Sequence, residues 1–464
     1  MSEYLQFNSV PSGEHEGKKH IIIVGAGIIG VCTAYYIVKH KKFDPSKYHI
    51  TIIESKRVAG GASGKAGGLL ALWAFPQQIV PLSFELHQEL SDLYNGSEEW
   101  GYRRLTTVSL EGDITKIPEE ATDQADKEDG ESTIPRKKNA KATKNSFSSS
   151  SPRSRSKLPK DLNWINDKII DSCSMLGDTD TTGQVHPYKF TSFMLKKAEE
   201  ESKGSLELIL GKVSEITYSM ETGVATGIKY RPTSLKSSED KIVTLQGDQI
   251  VLSVGPWTSK ILPDCPISGL RAHSITISPF EDQPVSPFAI FTELKTGPRS
   301  YISPEIYARQ DEVYVCGEGD SAVDVPETTD DVEVVKSKCD ELFKQVSKIS
   351  PNLSRGHILK RQACYLPVLD VPSSSGPLIG ETNVERLYLA SGHSCWGINN
   401  APGTGKIMSE LLLDGEAKSA NISGLNPSLY FDASVFVSDD ENNDDDNESD
   451  NETDEEDENV TIDN

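Results

Sequence analysis

The stretch IIIVGAGIIG at residues 21–30 decides the fold of this chain, because it has the pattern of a strand, a glycine turn and a helix start. Residues 21–24 are apolar and β-branched, which is typical of a parallel strand that is buried on both faces. Gly25 permits a sharp turn, Gly27 lets backbone N–H groups approach a pyrophosphate, and Gly30 lets the helix pack closely on the strand. The N-terminus of the helix then directs unpaired N–H donors and a partial positive charge at the phosphates.

A second apolar run, HITIIE at residues 49–54, completes this pattern with an acid. Glu54 lies 24 residues after Gly30, close to the spacing at which an acidic side chain meets the ribose hydroxyls of a dinucleotide. The sequence therefore predicts a dinucleotide-binding βαβ unit. A membrane span over residues 21–38 is disfavoured, because a span needs about 20 apolar residues and three glycines make a poor helix.

The charge and the cysteines narrow the class of protein. The net charge is −24, but residues 439–464 alone hold nine Asp and six Glu with no Lys or Arg, so the body is only mildly acidic. No basic face is visible, and binding of nucleic acid is not expected. The seven cysteines are scattered without a CxxC pair, which argues against a disulfide framework or a metal site and for a reducing compartment. Residues 1–17 lack the apolar core of a signal peptide, so a cytoplasmic location is expected.

Three segments have compositions that predict disorder. They are the N-terminal tail (1–17), an insert (119–160) and an acidic tail (431–464). Within the insert, residues 136–160 hold nine Lys or Arg and no acid, and such a segment cannot bury enough apolar surface to order itself. The acidic tail is either a solubilising extension or a site for protein partners.

The remaining segments indicate an α/β protein with a discontinuous Rossmann-like domain. A strand at residues 248–257 ends in Gly-Pro-Trp, and a last strand at 387–391 leads through a glycine-rich loop into a helix predicted from Lys406. Residues 270–320 alternate as antiparallel strands should, which predicts a mixed or antiparallel α+β second domain. The predicted Rossmann-like domain covers 18–117, 161–265 and 380–430, the second domain covers 266–379, and parts of 85–117 and 161–182 fit either one.

A second glycine-rich segment follows Glu54. Five of the nine residues at 60–68 are glycine, which excludes a regular helix or strand. Because this segment follows the second strand of the βαβ unit, it is expected to bring backbone close to a phosphate or ring.

Together these segments resemble the D-amino-acid-oxidase-like (DAO) family of FAD-dependent oxidoreductases, and are nearest in look to fungal oxidoreductases of that family. The matching stretches, spread over nearly the whole body, are 21–30 with Glu54, 60–70, 183–188, 248–257, 364–380 and 387–415. The resemblance implies bound FAD and a substrate domain over the flavin. It also implies oxidation of a C–N bond of an amino or imino acid by hydride transfer to flavin N5, with oxygen or an unknown acceptor taking the electrons.

The motifs and the resemblance together assign a set of cofactor-binding residues. They are Gly25, Ala26, Gly27, Ile28, Ile29, Gly30, Glu54, Ser55, Ala62, Ser63, Gly67, Gly68, Leu69, Val213, Gly255, Trp257, Cys364, Gly392, His393, Gly397 and Ile398. In sarcosine-oxidase-like members a cysteine at the position of Cys364 is joined to the flavin, so a covalent link is one alternative and an inert core thiol the other. The resemblance also implies that the helix after Pro402 points its N-terminus at the flavin C2 carbonyl.

The substrate side departs from the family. Where glycine-oxidase-like members carry an arginine for the substrate carboxylate, this chain has Leu366, and where sarcosine-oxidase-like members carry a lysine, the best pairing gives Val315. These departures leave a dehydrogenase of an unusual amine or of a 2-hydroxy acid open, as well as a flavoprotein whose main role is protein interaction. The substrate-facing candidates are Tyr301, Arg309, Tyr365 and His393, with Tyr307 as a further lining residue and Arg271 and Arg299 as further partners for a carboxylate.

Overall fold

The computed structural model describes residues 6–117, 158–233, 241–280, 285–374 and 376–434. Most of the predicted insert and acidic tail therefore lies outside the described residues. No helix in these ranges is long and apolar enough to cross a membrane.

The described chain forms strands in three sheets, together with helices and short 3-10 turns. In chain order the strands are β1 (Phe7–Asn8), β2 (Lys19–Val24), β3 (Tyr48–Glu54), β4 (Leu69–Ala71), β5 (Arg103–Arg104), β6 (Thr106–Asp113), β7 (Ile170–Gly177), β8 (Thr182–Gln184), β9 (Leu206–Tyr218), β10 (Ala225–Pro232), β11 (Val243–Gln246), β12 (Gln249–Leu252), β13 (Ile267–Ser278), β14 (Phe288–Gly297), β15 (Ser300–Ile302), β16 (Glu305–Ala308), β17 (Val313–Cys316), β18 (His357–Leu369), β19 (Leu378–Glu381) and β20 (Leu387–Ser391). The helices are α1 (Ile28–Lys39), α2 (Ala62–Lys65), α3 (Val80–Tyr94), α4 (Gly96–Trp100), α5 (Pro187–Ser202), α6 (Thr258–Ile261), α7 (Lys336–Ile349), α8 (Pro351–Ser354) and α9 (Gly397–Asp414).

The first sheet confirms the Rossmann-like prediction. Its order is β11-β10-β9-β3-β2-β12-β20-β19, and the central strands β9, β3, β2, β12 and β20 are parallel. Ile21, Ile22 and Ile23 of β2 are fully buried, because helices cover one face and β10, β11 and the C-terminal segment cover the other. Continuous apolar runs are therefore what this sheet requires.

The second sheet confirms the predicted mixed domain. Its order is β18-β13-β17-β16-β14-β6-β7, antiparallel except for the β14–β6 pair. Side chains alternate between its two faces, and one face packs Ile275, Ile306 and Val315 against Leu342 and Val346 of α7. β6 lies within 85–117 and β7 within 161–182, and both strands pair in this sheet. The assignment of these two ranges to a domain stays a prediction. A small third sheet has the order β4-β8-β5.

The described part of the N-terminal tail is ordered, so the predicted disorder of residues 1–17 is wrong for residues 6–17. β1 pairs with β9 through Phe7 and Leu208. The Ser12 backbone N–H donates to the Glu207 carboxylate at 3.0 Å. Burial alone would raise the pKa of Glu207, but hydrogen bonds from His49 and Ser12 hold that pKa at about 2. Phe7, which packs against the core, and the Glu207 carboxylate, which needs donors, thus hold this mainly polar segment in place.

The predicted boundaries of the other two disordered segments were also too wide. Leu158, at the end of the insert, is buried in the core of the second domain. Ala433, at the start of the acidic tail, is fully buried, and its N–H donates to Asn383 Oδ1 at 2.8 Å. A few apolar residues beside a low-complexity run are enough to join the core, and composition averaged over the run conceals them.

Helix α9 begins at Gly397, nine residues before the predicted start at Lys406, although Pro402 lies inside it. Proline has no N–H for the carbonyl four residues earlier, which is that of Ile398. His87 Nε2 lies 2.9 Å from this carbonyl oxygen and donates to it. Burial lowers the pKa of His87 to about 4, so the ring is neutral at pH 7. Helix α3 thus supplies the hydrogen-bond donor that Pro402 lacks. Rules based on neighbouring residues in the sequence cannot predict such a contact.

We expect His87→Leu to lower the free energy of unfolding by about 1–3 kcal/mol, because it leaves the buried Ile398 carbonyl without a donor. Chemical denaturation at pH 7 measures the change. The exposed His357→Leu serves as the control and should change stability little. Equal losses in the two variants would contradict this role of His87.

Candidate active site

A cavity of about 640 Å³ lies at the edge of the first sheet where β2, β3, β12 and β20 end. β2 connects through α1 to β3 on one side, while β12 and β20 lie on its other side. This is a topological switch point, where the connections on either side of one strand diverge and leave a crevice. The fold therefore creates the cavity at the glycine motif of residues 21–30.

The turn from β2 into α1 has the close contacts that only glycine allows. Gly25 has φ +102°, and a Cβ atom there would lie 2.7 Å from the Ser253 carbonyl oxygen. A Cβ atom on Gly30 would lie 2.2 Å from the Gly25 carbonyl oxygen. The Ser63 hydroxyl accepts the Ile28 N–H at 2.9 Å. The first turn of α1 therefore lies against the cavity with its positive end toward it.

Glu54 is fixed at the end of β3, on the cavity wall. Its carboxylate accepts the Ala26 N–H at 3.0 Å and the Lys56 N–H at 3.0 Å, and the residue is 9% exposed. The side chain is therefore held in place with acceptor capacity directed at the cavity. A charged acceptor in this position suits the hydroxyls of a ribose.

The loop before α9 forms the opposite end of the cavity. His393 is buried, and its Nε2 lies 3.0 Å from the Thr404 hydroxyl. Burial lowers the pKa of His393 to about 3, so the ring is neutral at pH 7. Gly397 and Ile398, the first residues of α9, line the cavity. A second helix N-terminus therefore faces the same cavity and favours negative charge there.

The structure brings many of the predicted cofactor residues together. Those that line the cavity are Gly25, Gly27, Ile28, Ile29, Glu54, Ser55, Ala62, Ser63, Val213, Gly255, Trp257, His393, Gly397 and Ile398. Those that do not line it are Ala26, Gly30, Gly67, Gly68, Leu69, Cys364 and Gly392. The contacts of both groups with a cofactor stay predictions.

Two of the residues outside the wall are glycines for a packing reason. A Cβ atom on Gly67 would lie 2.3 Å from the Tyr307 ring, and one on Gly68 would lie 2.1 Å from the Val185 carbonyl oxygen. Gly67 has to be glycine because β16 of the second sheet approaches it closely, and Gly68 because the residues that follow β8 do. Cys364 is 5% exposed, and burial raises the pKa of its thiol to about 11.

Arg309 has a different environment from the one predicted. Its guanidinium is buried, pairs with Glu312 at 2.6 Å, and donates to the backbone carbonyls of Ala66 and Gly67. Its N–H groups are therefore engaged in holding the glycine-rich loop, so it is not free to bind a substrate carboxylate.

The other substrate-side candidates are also separate from the cavity, apart from His393. Tyr301 is 56% exposed, and the Tyr365 hydroxyl donates to the carbonyls of Val323 and Asp324. Arg271 is buried against Asp320 and Glu333. Leu366, by contrast, does line the cavity.

Val315, the residue paired with the family's lysine, lies in the core on the α7 side of the sheet. Its neighbours Tyr314 and Cys316 therefore lie on the opposite face, with Glu305 and Tyr307. No sequence motif pointed to Glu305, although the alternation along β16 and β17 carried the signal. The predicted site also lacked Lys65, whose Nζ donates to the Ala363 carbonyl at 2.9 Å and joins the glycine-rich loop to β18.

Comparison with known proteins now identifies the family. The family described as FAD dependent oxidoreductase (DAO) matches residues 20–411. This chain belongs to the DAO family. It is 51% identical to the Saccharomyces cerevisiae protein named "Putative oxidoreductase TDA3", over 92% of this chain and 98% of that protein. A Schizosaccharomyces pombe protein, also described as an oxidoreductase, is 36% identical over 88% of this chain and 98% of its own length.

A solved structure supports the fold of this DAO-family chain. The iminodiacetate oxidase of Chelativorans sp. BNC1 is similar with a TM-score of 0.60 and 16% identity, covering 88% of this chain and 98% of that one. The chain is accordingly an FAD-dependent oxidoreductase. The cavity fits this cofactor, because two helix N-termini and the fixed Glu54 carboxylate supply the groups that a diphosphate, a flavin and a ribose require.

We expect Arg309→Leu to destabilise the protein by about 3–5 kcal/mol, because it leaves the buried Glu312 carboxylate without its cation. Thermal and chemical unfolding of the variant measure this loss. Arg299→Leu is the matched control, since Arg299 is exposed and should contribute little. A stable Arg309→Leu protein with a raised KM for an amino acid would instead favour a role in binding substrate.

Proposed function

We propose that this enzyme oxidises a C–N bond of an amino or imino acid by hydride transfer to flavin N5. The observation that carries the proposal is that both domains wall one cavity. Ile28 and Glu54 come from the first domain, while Leu366 and Pro367 come from β18 of the second. A cofactor held by the first domain would thus present its reactive ring to the second sheet, where a substrate would bind.

Bound FAD supplies the two-electron acceptor for this reaction. The chain itself supplies binding and electrostatics: the N-terminus of α9 favours negative charge on the reduced ring, and the neutral His393 adds no competing charge. The acceptor that reoxidises the cofactor is oxygen or another molecule. We also infer a cytoplasmic location, because all seven cysteines are unpaired in the structure.

Glu54→Gln tests the cofactor site. We expect the variant to bind FAD about tenfold more weakly or worse, because a hydrogen bond to a charged acceptor contributes about 1.5–3 kcal/mol. Titration of the apoprotein with FAD, followed by flavin fluorescence, gives the dissociation constant. Glu98→Gln, a change at an exposed glutamate of α4, is the control. An unchanged FAD affinity in Glu54→Gln would contradict the role of Glu54 in binding the cofactor.

Anaerobic mixing tests the reaction itself. A panel of amino and imino acids is added to the FAD-loaded protein, and bleaching of the flavin absorption band is recorded. We expect at least one member to bleach the band. A protein that binds FAD but is bleached by 2-hydroxy acids alone, or by none of these compounds, would overturn the proposal.

Acid precipitation tests the link to Cys364. Because this buried thiol is not among the cavity-lining residues and its pKa is raised to about 11, we expect the flavin to be released into the supernatant. Yellow colour that stays with the precipitate, and disappears from it in Cys364→Ser, would establish the covalent alternative.

A further inference from the structure

Glu305 begins β16 on the face of the second sheet that is turned away from α7. The register pairs Glu305 with Cys316 and Tyr307 with Tyr314 across β16 and β17. Val315, between the two β17 residues, packs on the opposite, α7 side. One face of the sheet thus carries a carboxylate, two tyrosine rings and a thiol, while the face that packs against α7 is apolar.

The Glu305 carboxylate has donors but no cation. The Tyr307 hydroxyl donates to it, and the Cys316 thiol lies 3.7 Å from Oε2. Among the described residues, no Lys, Arg or His nitrogen forms a salt bridge with this carboxylate within 4.0 Å. Glu305 is half-buried, and burial raises its pKa. A carboxylate that is partly withdrawn from water without a cation is costly. Such a group gains most from a ligand that brings positive charge.

Aromatic rings form a wall beside this carboxylate. The Phe291 ring lies 6.0 Å from that of Tyr307, and Trp73 lies 6.1 Å from Phe291. Trp396 meets Trp73 edge to face at 5.3 Å. Aromatic faces next to an acid are the usual surroundings of an organic ammonium ion, because the ring quadrupole attracts cations.

The group adjoins the proposed flavin position. Cys395, in the loop that leads into α9, lines the cavity. Trp396 follows it and packs in one cluster with Tyr307 and Tyr314. The Glu305 group therefore lies between the second sheet and the loop that leads into α9, where a substrate of this flavoenzyme would bind.

Among the described residues around Glu305, we find no support for an arginine that recognises a substrate carboxylate. Arg309 is paired with the buried Glu312, and Arg271 is paired with Asp320 and with the exposed Glu333. Leu366, which the family resemblance pairs with the substrate-binding arginine, carries no charge. The charge of the Glu305 group is therefore complementary to a cation.

We propose that Glu305 binds the ammonium group of the substrate and that the aromatic wall receives the attached carbon skeleton, so that the enzyme selects an organic amine cation. This inference rests on the proposed function only for the position of the flavin. The recognition itself depends on Glu305 and the rings around it.

Three compounds of one shape test the proposal on the FAD-loaded protein at constant ionic strength. They are tert-butylammonium, tert-butanol and pivalate, which present a cation, a neutral group and an anion on the same tert-butyl skeleton. tert-Butylammonium has no hydrogen on the carbon next to nitrogen and cannot be oxidised by hydride loss, so binding is measured without turnover. Perturbation of the flavin absorption band and the shift in melting temperature report binding.

We expect tert-butylammonium to bind at least tenfold more tightly than either analogue. Glu305→Gln should lose at least tenfold of this affinity at unchanged FAD content, whereas Glu293→Gln, an exposed glutamate of β14, should lose none. Tyr307→Phe keeps the ring but removes the hydroxyl donor, and it should still prefer the cation.

Pivalate binding as tightly as tert-butylammonium would overturn the proposal on the wild-type protein alone, even if Glu305→Gln failed to fold. Full affinity in a folded Glu305→Gln protein would also overturn it. The proposed function can fail independently of this inference. In that case no amino or imino acid would reduce the flavin, but tert-butylammonium would still bind through Glu305.

Discussion

The approach of α1 to the end of β2 is the constraint on which the rest of this structure depends. A Cβ atom on Gly30 would lie 2.2 Å from the Gly25 carbonyl oxygen and 2.5 Å from the Ser253 hydroxyl. With hydrogen in place of a methyl group, the helix begins at the sheet edge itself, and its N-terminus faces the cavity. Ser253 comes directly after β12, so the same contact also fixes the neighbouring strand, whose following residues form the next part of the wall.

The glycine-rich loop after β3 connects this sheet edge to the second domain. Arg309 binds the loop carbonyls of Ala66 and Gly67, while Gln362 donates to the Lys65 carbonyl at 3.0 Å. The second sheet is thereby held over the cavity through backbone groups, which do not depend on the particular side chains of the loop. Buried Arg309 and Glu312 explain why a loop so rich in glycine can be well defined: its entropy cost is offset by charge-assisted hydrogen bonds.

Electrostatics divide the site into two parts. The N-termini of α1 and α9 favour negative charge, which suits a diphosphate and a reduced flavin. Glu305 lies on the other side with an unneutralised carboxylate, which suits a cation. His393, which is neutral at pH 7, lines the cavity. Groups of opposite preference are thus kept apart by the two-domain construction, so cofactor and substrate recognition need not compete.

The sequence by itself determined the parallel sheet, the glycine turn, Glu54 at the cavity and the mixed second sheet, because apolar runs, glycines and alternation express backbone geometry that is local in the chain. It also pointed to the family. Only the tertiary structure decided that Arg309 supports a loop, that His87 completes a helix interrupted by Pro402, and that Phe7 adds a strand. It also decided that Val315 packs against α7 while Glu305 lies on the opposite face of the second sheet. Each of these depends on a partner at least dozens of residues away, or on which face of a strand is covered, and the identity of such partners is fixed by packing in three dimensions.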